Sequence, residues 1–116
     1  MNILSKEAIL ESNDGARELV EVPEWGGSVW IRSMTGTERD RFEDGLTDAN
    51  GNVSIEGIRA RLVCMTACDQ DGKRMFADSD ASMLGLKSAR ALNRLARVAQ
   101  RLSGLTLEAV EDAKKN

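Results

Sequence analysis

The longest regular pattern of apolar and polar residues in the chain lies in the segment Lys87 to Leu107. Apolar residues recur there at spacings of three and four, which at about 100° per residue places them on one face of a helix. They are Leu92, Leu95, Val98, Ala99 and Leu102. Ser88 can cap the start of this helix, and Gly104 stands where a glycine commonly ends one. The pattern therefore predicts an amphipathic helix over about 88–103.

A second helical pattern covers about 54–68. Its apolar stripe consists of Ile55, Ile58, Leu62 and Met65, and Ser54 is its predicted cap. An amphipathic helix buries its apolar stripe against another element. We therefore expect the helices at 54–68 and 88–103 to pack together as the main part of the core.

Shorter helices are predicted at four other places. Ser5 can cap a helix over 5–12, and Thr35 with Glu38 forms a capping box for a helix whose inward anchors are Phe42 and Leu46. A short helix is expected to end near Gly85, and a last one to follow residue 105.

A hairpin of two strands is predicted at about 17–33, and a brief extended segment at 74–76. The segments RELVEV and SVWIRS have the composition of strands, and the Pro-Glu-Trp-Gly-Gly sequence between them favours a turn. Either face of this hairpin could be the covered one. The fold class is therefore mainly α with one small β-hairpin, an α+β domain of compact helical character.

Composition agrees with a helical core. The 116 residues include two Trp, two Phe and no Tyr, so the core is expected to be aliphatic. A chain of this length is expected to form one domain, 1–116. It has no apolar run near the ~20 residues of a membrane span. The N-terminus also lacks the basic region and cleavage site of a signal peptide, so we expect a cytoplasmic protein.

Motifs for catalysis or metal binding are missing or incomplete. The sequence has no histidine, the usual general base. We interpret Cys64 and Cys68 as reduced, buried side chains. Asp48 and Asp69 begin segments like calcium loops, but neither segment has the required glycine and glutamate, and we interpret both as turns. We expect no catalytic residue, no cofactor and no metal.

Charge is distributed unevenly along the chain. Residues 1–56 carry 12 acidic and 5 basic side chains, whereas residues 57–116 carry 11 basic and 7 acidic ones. The basic half includes an arginine face, on the side of helix 88–103 opposite its apolar stripe: Arg90, Arg94, Arg97 and Arg101. Four arginines could contact nucleic-acid phosphates, but the chain is acidic overall and no aromatic residue accompanies them. Such a face also suits contact with an acidic protein surface.

Three segments stand out by their order and spacing: VEVPEWGGSVWIRSMTGTERDRFE, RARLVCMTACDQDGKRMF and RLARVAQRLSGLT. They contain a Pro-Glu-Trp-Gly-Gly hairpin, a Thr-Gly-x-Glu-Arg helix start, an Asp-x-Asp-Gly turn and an Ala-x-x-Leu-Ser-Gly-Leu close. Together they resemble the tail assembly chaperones of long-tailed, non-contractile bacteriophages and prophages. The resemblance covers nearly the whole chain, and its specificity lies in the combination.

The resemblance implies a non-enzymatic role in phage tail assembly in the host cytoplasm. Proteins of this family are thought to coat the tape measure protein, to recruit subunits of the major tail (tube) protein, and to be absent from the mature virion. Many have a longer form made by ribosomal frameshifting, and the ending Lys114-Lys115-Asn116 fits a slippery sequence. The implied partners are the tape measure protein, the tube protein and that longer form, with no membrane partner.

The uneven charge also suits contact between copies of the chain. We predict that the arginine face of one copy engages an acidic face on a neighbour. The acidic face consists of Glu38, Asp40, Glu43 and Asp44. Two other functions stay open: a small nucleic-acid-binding regulator that uses the arginine face, and a structural tail or head–tail joining protein.

Overall fold

The computed structural model describes residues 2–105. In chain order the helices are α1 (Lys6–Glu11), α2 (Gly36–Asp44), α3 (Ile58–Thr66), α4 (Ala81–Leu84) and α5 (Ala89–Ser103). The strands are β1 (Arg17–Val22), β2 (Gly27–Arg32) and β3 (Ala67–Cys68), and short 3-10 turns lie at Pro23–Trp25 and Asp78–Asp80. The predicted mainly helical α+β fold is confirmed. The last predicted helix lies outside the described residues.

The predicted hairpin is present and supplies two of the three strands of a small sheet. β1 and β2 pair antiparallel, and β3 adds to the other side of β2. Gly26 has a φ of 72°, so one glycine supplies the left-handed conformation of the turn while the next already belongs to β2. The buried face of the hairpin carries Val20, Val22 and Ile31, and the opposite face carries Trp30. The aliphatic face is therefore the covered one.

The core forms where α3 and α5 pack together and against the inner face of the hairpin. The Ser88 hydroxyl caps α5 by accepting a hydrogen bond from the Ala91 amide at 3.2 Å, and Gly104 ends the helix at a φ of 66°. The predicted apolar stripe of α5 is confirmed, since its members are buried or packed against the core. α3 is buried on nearly all sides, so it is the central helix of the molecule.

The second predicted helix is wrong at both ends. Its cap is Gly57, with a φ of 70°, and not Ser54. The Ser54 amide donates to the Leu46 carbonyl at 2.6 Å, which holds the preceding segment in a loop. At the other end, Ala67 and Cys68 are extended and pair with Ile31 and Trp30 as β3. Residues before Ile58 and after Thr66 are therefore not helical, because their backbone groups bond to other parts of the chain.

The local features predicted around α2 are confirmed. The Thr35 hydroxyl accepts from the Glu38 amide at 3.2 Å, and the Thr35 amide donates to the Glu38 carboxylate at 2.9 Å, which completes the capping box. Phe42 and Leu46 are both buried. The two cysteines are also buried and are not bonded to each other.

The N-terminal segment lies apart from this core. Ser5 caps α1 as predicted, accepting from the Ala8 amide at 3.1 Å. No residue of α1 is buried, and the large apolar side chains of the segment are exposed: Ile3, Leu4, Ile9 and Leu10. Among residues 2–105, no helix is long and apolar enough to cross a membrane.

Candidate protein-interaction surface

The arginine face of α5 lies on the exposed side of that helix, and the structure pairs half of it with the hairpin. Arg94 donates to both carboxylate oxygens of Glu24, at 2.6 and 3.0 Å. Arg101 bonds both oxygens of Glu18, each at 2.9 Å. Two of the four predicted arginines thus contact acids within their own chain.

Arg90 and Arg97 are exposed and form no ion pair within residues 2–105. They lie seven residues apart on the same side of α5, two turns of the helix. They are the members of the arginine face whose charge the described chain leaves available for another molecule.

The pair between Arg94 and Glu24 strongly favours the ionised carboxylate. The hydrogen bond from Arg94 is the main cause that lowers the pKa of Glu24 from 4.5 to about 2, with a further contribution from the backbone. Glu24 sits in the 3-10 turn of the hairpin. The ion pair therefore fixes that turn against α5.

The acidic face divides in the same way as the arginine face. Glu38 points toward the sheet and accepts from Arg32 at 2.5 and 2.9 Å. Burial opposes its ionisation, but the hydrogen bonds from Arg32 and the Thr35 backbone prevail, so the pKa of Glu38 lies below its ordinary value. Glu43 pairs with Arg39 along the helix at 3.0 Å.

Asp40 and Asp44 remain as the exposed acids of α2 without an ion pair among the described residues. They lie four residues apart, so they share one side of the helix. The structure therefore does not bring the two predicted faces together within one chain. It leaves two cations on α5 and two anions on α2.

Sequence reasoning missed Glu18 and Glu24 as partners of the arginines. A signal for Glu18 was present, because it shares the alternation of Val20 and Val22 and so lies on the inward side of the hairpin. A charged side chain on that face lies within reach of a cation from the helix packed against it, and Glu18 keeps 42% of its side chain exposed in its pair with Arg101. No comparable signal marks Glu24, whose place depends on how the hairpin turn crosses α5.

Another ion cluster joins α2 to the segment after β3. Asp78 accepts from Arg41 at 2.6 Å and from Arg74 at 2.9 Å. The hydrogen bond from Arg74 is the main cause that lowers the pKa of Asp78. Burial raises the pKa of the neighbouring Cys64 thiol. This arrangement holds a turn in place and keeps the thiol protonated, which suits structure better than nucleophilic chemistry.

The two calcium-like segments are turns, as predicted. The Asp48 carboxylate accepts from the amides of Asn50 and Asn52, each at 2.9 Å. The Asp69 carboxylate accepts from the amides of Asp71 and Lys73 at 2.8 and 3.1 Å. In each turn one carboxylate oxygen therefore accepts two hydrogen bonds from amides of the aspartate's own loop. Within residues 2–105 no group of three acidic or cysteine side chains is placed to hold a metal ion.

One concave surface is an open cleft of about 770 Å³ at the end of the hairpin away from its turn. It is lined by residues 13–17, 32–36, 71–72 and 102–103. Much of this lining is loop backbone, and its two cations are already engaged: Arg32 with Glu38, and Arg17 with the Gln70 carbonyl.

These features define a small α+β protein whose exposed groups are charged helix faces and apolar side chains suited to protein contacts. The sequence matches the family model described as phage tail assembly chaperone over residues 5–116. The chain therefore belongs to the phage tail assembly chaperone family, as the sequence resemblance predicted. A comparison with curated proteins gives no match.

A solved structure has the same fold. The tail assembly chaperone of bacteriophage HK97 aligns with a TM-score of 0.58 over 76% of this chain and 85% of that chain. The two sequences are 20% identical in this alignment. Since so few residues are shared, the likeness concerns the fold.

Proposed function

We propose that this protein is a non-enzymatic chaperone of phage tail assembly that binds the tape measure protein and recruits subunits of the tail tube. It acts as a single domain in the host cytoplasm and is absent from the mature virion. The observation that carries the proposal is the family match, which extends over residues 5–116. A longer frameshifted form is proposed as an additional partner.

The distribution of exposed groups supports a role in covering other proteins. The N-terminal segment presents Ile3, Leu4, Ile9 and Leu10 to solvent, and Met83 and Leu86 are exposed near the start of α5. Exposed apolar side chains of this kind favour protein contacts. The charged faces of α2 and α5 lie on the same small molecule and suit contact between copies bound to one client.

The contact between copies is proposed to involve the charges that the described chain leaves unpaired. Arg90 and Arg97 of one copy would engage Asp40 and Asp44 of the next. The other four residues of the predicted faces have ion-pair partners in their own chain. They would contribute to the contact only through the shape and net charge of each surface. A head-to-tail contact of this kind repeats along a client.

The proposal is tested by co-expression with the tape measure protein of the same phage or prophage. We expect the chaperone to co-purify with that protein and to keep it soluble, and the tape measure protein alone to precipitate. A matched control co-expresses the tape measure protein with an unrelated acidic protein of similar size. Failure to bind or solubilise the tape measure protein would contradict the proposed function.

Two measurements separate the other functions. A gel shift with random duplex DNA at low salt should show no complex, whereas a nucleic-acid-binding regulator would bind through phosphate contacts. Mass spectrometry of purified virions should not detect this chain, whereas a tail or head–tail joining protein would be present in every particle.

A further inference from the structure

β1 is an open edge of the sheet. The strand order places β2 on one side of it and no strand on the other within residues 2–105. The Ser33 amide donates to the Ala16 carbonyl at 2.8 Å, which fixes the alternation of hydrogen bonds along the hairpin. By that alternation Glu18 and Val20 bond to β2, whereas Arg17, Leu19 and Glu21 direct their amide and carbonyl groups to the open edge.

The side chains of these same three residues lie on the outer face of the sheet. Leu19 is 52% exposed and stands directly across from Trp30. The Arg17 guanidinium lies 4.9 Å from the centre of the Trp30 ring. Glu21 is exposed and has no ion pair among the described residues. Read along β1, the edge therefore presents a cation, an apolar side chain and an anion.

We propose that β1 of this chain pairs antiparallel with β1 of a second copy, with Leu19 opposite Leu19. This register sets Arg17 of each copy opposite Glu21 of the other. Opposite charges across an antiparallel pair are favourable, and like charges are unfavourable. A parallel pairing in register would set like charges side by side, so the order of charges selects the antiparallel one.

The pairing also covers the apolar residues of the outer face. Leu19 of the two copies would lie side by side, with Trp30 of each copy next to it, so that four apolar side chains form one strip. About six backbone hydrogen bonds would join the edges, two for each pair of residues that face each other. Arg17 has no carboxylate partner among the described residues, so its move toward Glu21 would break no ion pair.

This surface is separate from the arginine face, because α5 packs on the inner face of the hairpin and the pairing uses its edge and outer face. The contact is two-fold and closes at two copies, whereas the proposed contact between α5 and α2 is head-to-tail. The inference does not rest on the proposed function, and the two are tested by different measurements.

Charge exchange tests the register. Arg17→Glu and Glu21→Arg each place like charges opposite each other twice in the dimer, and we expect each to raise the dimer dissociation constant about tenfold at low salt. The double variant R17E/E21R restores opposite charges and should recover most of the affinity. Asp14→Arg makes the same change of charge as Glu21→Arg, but outside the strand, and should leave the constant unchanged. Sedimentation equilibrium measures the constants, and circular dichroism checks that each variant is folded.

Amide hydrogen exchange in the unmodified protein tests the pairing without any variant. The amides of Leu19 and Glu21 should exchange more slowly as the protein concentration rises, because they gain a partner only in the dimer. The Val20 amide already bonds to β2 and should show much less change. Exchange at Leu19 and Glu21 that is independent of concentration would overturn the proposal, as would a protein that stays monomeric or a double variant that is weaker than both single ones.

Discussion

Arg32 at the end of β2 and Glu38 in the first turn of α2 form an ion pair with two hydrogen bonds, at 2.9 and 2.5 Å. Their side chains are only 17% and 16% exposed. The same carboxylate accepts from the Thr35 amide and so completes the capping box. One side chain therefore joins the start of a helix to the end of the central strand of the sheet.

Glu38→Gln is expected to lower the free energy of unfolding by about 2 kcal/mol. The amide oxygen can still accept from Thr35, but the charge that balances the largely buried Arg32 is lost. Urea unfolding followed by circular dichroism measures the change. Glu43→Gln is the matched control, because its pair with Arg39 is exposed, and it should cost less than about 0.5 kcal/mol. Equal effects of the two changes would contradict the structural role of Glu38.

Acid is expected to destabilise the fold between about pH 5 and pH 2. The folded-state pKa of Glu24 lies at about 2, below its ordinary value of 4.5, so ionised Glu24 favours the folded chain. That contribution is fully present above the ordinary value and is lost as the pH falls toward the folded-state value. The lowered pKa values of Glu38, Asp69 and Asp78 act in the same direction.

The melting temperature, measured as a function of pH, tests how much of this acid destabilisation comes from Glu24. Glu24→Gln should be less stable than the unmodified chain at neutral pH and should lose less stability between pH 5 and pH 2. Glu56→Gln, at an exposed acid without an ion pair in the described chain, serves as the control and should follow the unmodified curve. A Glu24→Gln curve parallel to the unmodified one would show that the pair with Arg94 has no effect on folding.

Gly57→Ala is expected to lower the free energy of unfolding by about 1 to 2 kcal/mol. The residue has a φ of 70°, which an L side chain rarely adopts, although an added Cβ would meet no atom within 4 Å. The cost is therefore one of backbone conformation. Gly36→Ala is the control, since Gly36 lies at the start of α2 without a left-handed φ and also has open space around it. Chemical denaturation of both variants measures the difference, and an unaffected Gly57 variant would mean that helix α3 can start earlier.

Reversal of the unpaired arginines is expected to weaken the head-to-tail contact between copies. Arg90→Glu with Arg97→Glu should lower the average molar mass measured by light scattering at low ionic strength. Reversal of Asp40 and Asp44 to arginine in the same chain should restore it. Lys73→Glu with Lys87→Glu makes the same change of net charge away from the arginine face and should leave the mass unchanged. An average molar mass that is the same with and without the Arg90 and Arg97 reversals would contradict the proposed contact.

The elements that the sequence predicted well are those whose signal is local. The apolar spacing of Leu92, Leu95 and Ala99 and the caps at Ser88 and Gly104 all lie within one helix, and the structure agrees with them. β3 gave no such signal, because Ala67 and Cys68 continue the apolar run of α3 and become a strand only through their bonds to β2. Tertiary pairing overrides helix propensity there.

The candidate surface likewise has features that the local sequence predicts and features that depend on tertiary contacts. Helical spacing alone places Arg90, Arg94, Arg97 and Arg101 on one side of α5. Which of them are free depends on acids about 70 and 80 residues away in sequence, Glu24 and Glu18. Their positions follow from how the hairpin crosses the helix, and periodicity along a single chain does not contain that information.

The direct passage from α3 into β3 has a consequence for folding. No residue separates Thr66 from Ala67, so the third strand cannot reach the hairpin until the central helix is docked, and the helix cannot dock without placing the strand. The sheet and the helices should then unfold together in one step. Trp25 and Trp30 report on the hairpin, and far-ultraviolet dichroism reports on the helices. Both signals should give the same urea midpoint. The chain would then have no stable partly unfolded form that a protease could cleave or a client protein could bind.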